Sequence, residues 1–146
     1  MKSSNPKYNT VMIIDDNNID VFITTQVLKN ANFATNTVTF NCALEAFKYI
    51  SNTEDETVLP EIIFLDLNLD GISGFDFLEL YQTLPTYKKE KISVYMVSST
   101  IDPKDLEKIN QNINLKGFCE KYITKEFLNS IKLLQIQGFV MQLKES

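Results

Sequence analysis

Short apolar runs and amphipathic stretches alternate along the chain. Residues 10–15 (TVMIID) form an apolar run ending in carboxylates, the pattern of a buried strand. Residues 18–29 follow, with Ile19, Phe22, Ile23 and Val27 at helical spacing. Residues 33–40 alternate β-branched and polar positions and predict a second strand. Asn41 can cap the next helix, whose apolar face is Ala43, Ala46, Phe47 and Ile50.

A polar, acidic loop over 51–59 leads to residues 61–66 (EIIFLD), the most strand-like run of the chain. Gly71 and Gly74 punctuate the loop after it. Phe77, Leu80, Tyr81 and Leu84 mark a third helix that Pro85 stops. Residues 92–97 predict strand four. Asp102-Pro103 reads as a helix start, with Leu106, Ile109 and Ile113 facing inward. Residues 115–120 predict strand five, and a last helix runs from Thr124 to about Gly138, carrying Phe127, Ile131 and Leu134.

Five strands alternating with five helices predict an α/β protein with a parallel sheet covered on both faces. Right-handed crossovers leave few topologies, and the strand order 2-1-3-4-5 of a flavodoxin-like, doubly wound (βα)5 fold is the natural one. The expected organisation is a tail over 1–9, one domain over 10–138, and an extension of the last helix or a tail over 139–146. Those last eight residues are expected to hold no further domain.

Charge narrows the function. The 146 residues carry a formal net charge of −5. Such a surface repels nucleic acid, and the run Lys88, Lys89 and Lys91 reads as a solvated loop rather than a basic patch. Two cysteines, Cys42 and Cys119, have no metal-ligand spacing; Cys119 is expected to be buried. With no apolar run of membrane-spanning length and a polar start, the reading is a cytoplasmic protein. The absence of histidine excludes a histidine base, a histidine-ligated metal and a phosphohistidine on this chain.

Parallel sheets place their sites at the carboxyl ends of the strands. Strand one ends in Asp15-Asp16, strand three in Asp66, strand four in Ser98-Ser99 and strand five in Glu120-Lys121. In the order 2-1-3-4-5 the first and third strands are neighbours, so Asp15, Asp16 and Asp66 would cluster. Their mutual repulsion calls for a hard divalent cation with oxygen ligands, Mg²⁺ above all. Lys121 would add a second positive charge and Ser98 a hydroxyl donor. A nucleophilic carboxylate surrounded by metal, ammonium and hydroxyl suits phosphoryl transfer.

The motifs IIDDNNID, IIFLDLNLDGISGF, YMVSST and GFCEKYIT, each directly after an apolar strand, resemble those of the receiver domains of two-component response regulators of the chemotaxis-regulator type, over residues 11 to about 134. The resemblance implies that Asp66 accepts a phosphoryl group from a sensor histidine kinase or histidine phosphotransfer protein. It implies that Asp16 ligates Mg²⁺ directly, Asp15 mainly through water, and Asn68 through its backbone carbonyl. Ser98 and Lys121 would hold the phosphoryl group. Ser98 and Phe118 would act as the switch, and Asn68 and Thr100 stand where the family tunes dephosphorylation. Gly74 matches the family's loop glycine. The output face would be the helix after Asp102, strand five and the last helix, and a homodimer is compatible with the family.

Two positions depart from the pattern. Asp70 stands four residues after the acceptor, where the family has proline. Tyr122 follows the lysine, where the family has a cis-bonded proline. A cis bond before a non-proline residue costs roughly 3–4 kcal/mol, so a trans bond is expected. Competing readings are a pseudo-receiver that binds a partner without phosphorylation, a Mg²⁺ phosphohydrolase of the haloacid-dehalogenase type, and a flavin-binding flavodoxin. The hydrolase needs a carboxylate where Asn68 stands. The flavodoxin needs a hydroxyl-rich loop where Asp15-Asp16 stands. Asp15, Asp16, Asp66 and Lys121 read more simply, one by one, as helix caps, turn residues and a surface lysine; their joint occurrence argues against that. Asp20 and Asp70 read as solvated.

Overall fold

The computed structural model describes residues 5–131. Five strands, β1 (Tyr8–Ile14), β2 (Ala34–Phe40), β3 (Ile62–Asp66), β4 (Ser93–Ser98) and β5 (Leu115–Glu120), form one sheet in the order β2-β1-β3-β4-β5. Every neighbouring pair is parallel. The helices are α1 (Asn18–Asn30), α2 (Ala43–Asn52), α3 (Gly74–Gln82), α4 (Thr86–Lys91) and α5 (Pro103–Gln111), with a further helix, α6, over 125–131. The remainder of the expected last helix, with Leu134, and the 139–146 segment lie outside the described residues. Among the described residues, no helix is long and apolar enough to cross a membrane.

The central strands are apolar at almost every position because both faces of the sheet are covered. Met12 and Ile14 of β1, Ile63 and Leu65 of β3, and Val94 and Met96 of β4 pack with Ala46, Ile50, Phe77, Tyr81 and Ile109 on one face. Val11, Ile13, Ile62, Phe64, Tyr95 and Val97 point the other way, onto Leu28, Phe33, Leu128 and Ile131. The period of two along each strand therefore feeds two cores, as a doubly wound sheet requires.

Several local expectations need correction. Helix α2 is capped by Cys42, with no side-chain hydrogen bond, rather than by Asn41. The lysine run is not a solvated loop: it forms α4, and Lys88 is buried. Pro85 does follow α3, but it also starts α4, since it fits naturally at a helix entry. In α1 the buried positions are Asp20, Thr24 and Leu28, while Ile19 and Phe22 are 69% and 64% exposed. In α5, Asp102 caps the helix as expected and Ile109 is buried, but Leu106 is exposed and Ile113, beyond the helix end, is 83% exposed. Helical spacing marks an apolar stripe; docking onto the sheet decides which stripe is covered. Cys119 is half-buried.

Candidate functional site

The carboxyl ends of β1, β3, β4 and β5 meet at one edge of the sheet. Parallel register sets Ile14 beside Leu65 and Asp66 beside Val97, which brings the residues just after β1 next to the end of β3. Carboxylate oxygens of Asp15, Asp16 and Asp66 all lie within 4.8 Å of one another. Asp15 and Asp66 are buried; Asp16 is half-buried.

Each acid is held by backbone donors. The Asn17 N–H donates to Asp15 Oδ1 at 2.9 Å. The Asn68 N–H donates to Asp66 Oδ1 at 3.1 Å. Asp16 Oδ2 accepts from the Asp70 N–H at 2.8 Å. The last contact gives the departure at position 70 a structural content: a proline there would have no N–H to offer. The Asp70 side chain itself is exposed, as expected.

Gly74, the first residue of α3, is required by close approach. A Cβ at this position would stand 2.8 Å from the Asp66 carbonyl oxygen and 3.0 Å from Leu67 Cα. The Gly74 N–H donates to Leu67 O at 3.0 Å, pinning the loop after β3 against the helix start. A capping box between Ser73 and Asp76 sets where that helix begins.

Lys121 enters from the end of β5. Its backbone N–H donates to Ser98 O at 2.9 Å. Its ammonium contacts Asp20 Oδ2 at 2.7 Å, Asp15 Oδ2 at 2.9 Å and Asp66 Oδ2 at 3.2 Å. The Lys121–Tyr122 peptide bond is cis, not trans as expected. The trans expectation weighs only local preference, whereas the lysine is fixed on both its backbone and its side chain by other strands and helices.

Electrostatics follow from this crowding. Burial raises the Asp66 carboxyl to about 6; the Asn68 N–H opposes the rise, the Asp15 carboxylate adds to it, and Lys121 opposes it. Burial works against the charge of Lys121, yet hydrogen bonds to Asp20 and Asp15 and the charge of Asp66 hold it above the ordinary lysine value. Asp20 is lowered, chiefly by its hydrogen bond with Lys121 and further by one from Tyr122.

Asp20 is the residue that sequence reading missed. Taken as solvated, it is buried and makes the shortest contact of the lysine. Its partner lies 101 residues away in the chain, so no local pattern signals it. The placement of Asp20 four residues after Asp16, on the first turn of the following helix, is the one usable hint.

Ser98 is fully buried, and its hydroxyl donates to Thr100 O at 2.7 Å while accepting from Asn68 Nδ2 at 3.2 Å. Thr100 and Asn68 are exposed at the rim. Phe118 of β5 is half-buried against the core that contains Met96. The structure thus brings Asp15, Asp16, Asp66, Asn68, Ser98 and Lys121 into one site and leaves Phe118 beside it. Three converging carboxylates with hard oxygen donors fit a divalent cation such as Mg²⁺, and the anionic pocket also fits the single ammonium that now bridges two of them.

A five-stranded parallel α/β sheet with an acidic cluster and a lysine at its carboxyl edge defines a flavodoxin-like fold built around an anionic site. The family model for the response regulator receiver domain matches residues 11–134, and the chain belongs to this family. A response regulator receiver protein from Dyadobacter fermentans is similar at 30% identity and a TM-score of 0.75, covering 86% of this chain and 94% of its own. A two-component response regulator from Cytophaga hutchinsonii is similar at 25% identity and a TM-score of 0.72, covering 85% and 93%. The Mn²⁺-bound form of the response regulator Rcp1 shares the fold at 18% identity and a TM-score of 0.66, covering 87% and 91%. Among curated proteins, none matches the sequence. The chain is thus a receiver domain of the kind used in two-component signalling, a signalling phosphoacceptor family rather than a classical enzyme.

Proposed function

We propose that this receiver takes a phosphoryl group on Asp66 from a phosphohistidine of a sensor kinase or phosphotransfer protein and changes its surface in response. The observation that carries the reading is the Asp66 carboxylate at the end of β3, converging with Asp15 and Asp16 and bonded to the Lys121 ammonium. An Asp66 oxygen attacks phosphorus, a P–O bond forms, the P–N bond breaks, and its electron pair stays with the partner's imidazole. Most of the Asp66 carboxyl is ionised at neutral pH, as a nucleophile must be. Lys121 stabilises charge on the transferring oxygens.

Asp16, Asp66 and the Asn68 carbonyl would hold Mg²⁺ directly, with Asp15 acting through water. When bound, the cation neutralises the acid cluster and the phosphoryl oxygens; a Mn²⁺-bound relative of the same fold is consistent with such a site. The Ser98 hydroxyl, now donated to Thr100 O, turns to the phosphoryl group. That movement frees the loop after β4 and lets Phe118 pack further inward, altering the surface of α5, β5 and α6. Asn68 and Thr100, at the rim, control how water reaches the acyl phosphate.

The test is intact-mass measurement after incubation with acetyl phosphate and Mg²⁺. One phosphoryl group is expected, alkali-labile, dependent on metal and missing in Asp66→Asn. No adduct, with Mg²⁺ binding also absent, would overturn the reading and leave a partner-binding module with a receiver fold.

A further inference from the structure

Asp20 is the one carboxylate on Lys121 that the cation site does not claim. It stands outside the converging group Asp15, Asp16 and Asp66. Even so, its contact with the ammonium, at 2.7 Å, is shorter than those of Asp15 at 2.9 Å and Asp66 at 3.2 Å. Helix α1 fixes where it sits: Asn17 caps the helix by accepting the Asp20 N–H at 3.0 Å. The carboxylate is buried, and the Tyr122 hydroxyl helps to hold it ionised.

An ammonium has three hydrogens, and here three carboxylates share them. A cation or a phosphoryl group arriving at Asp15, Asp16 and Asp66 would compete for two of those partners and leave Asp20 untouched. A lysine on a four-carbon stem held by nothing else would be free to swing away. We propose that Asp20 is a positioning residue: it tethers the Lys121 ammonium in every state of the site, so that the remaining hydrogens stay aimed at Asp66 and its phosphoryl oxygens. The proposal rests on the phosphoacceptor reading above.

Two measurements on the full chain test this. The first is the rate of phosphoryl uptake at saturating acetyl phosphate and Mg²⁺ for Asp20→Asn, alone and combined with Lys121→Met. If Asp20 acts through the lysine, Asp20→Asn slows uptake about tenfold in the native background and less than about twofold when Lys121 is already methionine. Asp20→Glu, which keeps the charge, recovers most of the rate. The second is proton–nitrogen NMR of the lysine ammonium groups in metal-free protein. The Lys121 signal, slowly exchanging because it is held, disappears in Asp20→Asn, while the signal of buried Lys88 persists and reports an intact fold. An uptake rate within twofold of the native chain, or an equal loss in both backgrounds, overturns the proposal. Failure of the native chain to take up any phosphoryl group would instead overturn the phosphoacceptor reading, and the NMR comparison would still decide whether Asp20 holds the lysine.

Discussion

Two lysine side chains of this molecule are withdrawn from solvent in opposite chemical settings. Lys88, 3% exposed, donates to the main-chain oxygens of Ile50 at 2.8 Å and Ser51 at 2.9 Å. Those carbonyls belong to the last turn of α2, which carries the negative end of the helix dipole; the Ile50 oxygen also accepts the Thr53 N–H at 3.3 Å. Lys121, its side chain 8% exposed, faces three carboxylates at the carboxyl edge of the sheet. The carbonyl partners of Lys88 carry no net charge. Those of Lys121 are carboxylates, which do. Withdrawal from solvent therefore goes with a neutral brace in one region and a charged network in the other.

The comparison can be broken most decisively at Lys121. Replacing it with methionine should slow phosphoryl uptake about 100-fold, as expected for removing a charge donor from a transferring group. Lys88→Met should leave uptake within about twofold, because Lys88 touches nothing at the site. In metal-free protein at neutral pH, Lys121→Met should also lose about 3 kcal/mol of stability, since buried acids are left facing one another. That loss should shrink in acid or on adding Mg²⁺. Urea unfolding at pH 5 and pH 7.5, with and without Mg²⁺, measures it. An uptake rate unaffected by Lys121→Met would erase the distinction between the two lysines.

Asp66 sharpens the same contrast through pH. Its carboxyl is raised to about 6 in the folded chain, so between the ordinary carboxylate value and about 6 the native state binds more protons than the unfolded one. Stability of the metal-free protein should therefore fall as pH rises through that window, by roughly 3 kcal/mol for this group, and stay low above it. Asp66→Asn should remove that decline and melt higher than the native chain at pH 7.5 without metal. An identical pH profile for the two proteins would show that burial and the neighbouring Asp15 do not raise the Asp66 carboxyl in the folded chain.

The brace comes next in size. Lys88→Met should cost about 2 kcal/mol, because the Ile50 and Ser51 carbonyls each lose the hydrogen bond from the ammonium. In contrast to the loss at Lys121, this one should be the same at pH 5 and pH 7.5 and indifferent to Mg²⁺. Recovery with Mg²⁺ would contradict the assignment of Lys88 as a brace. The smallest effect belongs to position 70. Asp70→Pro removes the N–H that holds Asp16 Oδ2, and Mg²⁺ affinity measured by calorimetry should weaken about threefold. Unchanged affinity would mean that Asp16 does not rely on that donor.

Much of this arrangement is legible without coordinates. Apolar runs closed by a polar or acidic residue mark β1, β3 and β4, alternation marks β2, and the succession of strands and helices leads to a parallel sheet in the order found. Asp15, Asp16, Asp66, Ser98 and Lys121 are legible because each follows directly on a strand, and a parallel sheet gathers its strand ends at one edge. Misreadings occur where a residue's environment is made by a distant segment. Ile113 reads as inward by spacing and is exposed; Asp20 reads as solvated and is buried. Lys88 reads as part of a solvated run, yet it reaches carbonyls 38 and 37 residues away.

The fold can be read from consecutive residues, because strand and helix periodicities are local, and the charged strand ends can be placed together, because the topology sends them to one edge. Which side chains touch there is set by tertiary packing. It puts Asp20 rather than solvent against Lys121, aims the Asp70 N–H at Asp16, and bonds one lysine to main-chain carbonyls and the other to carboxylates. Such pairings depend on how helices dock against the sheet across dozens of residues, and no local pattern encodes that geometry.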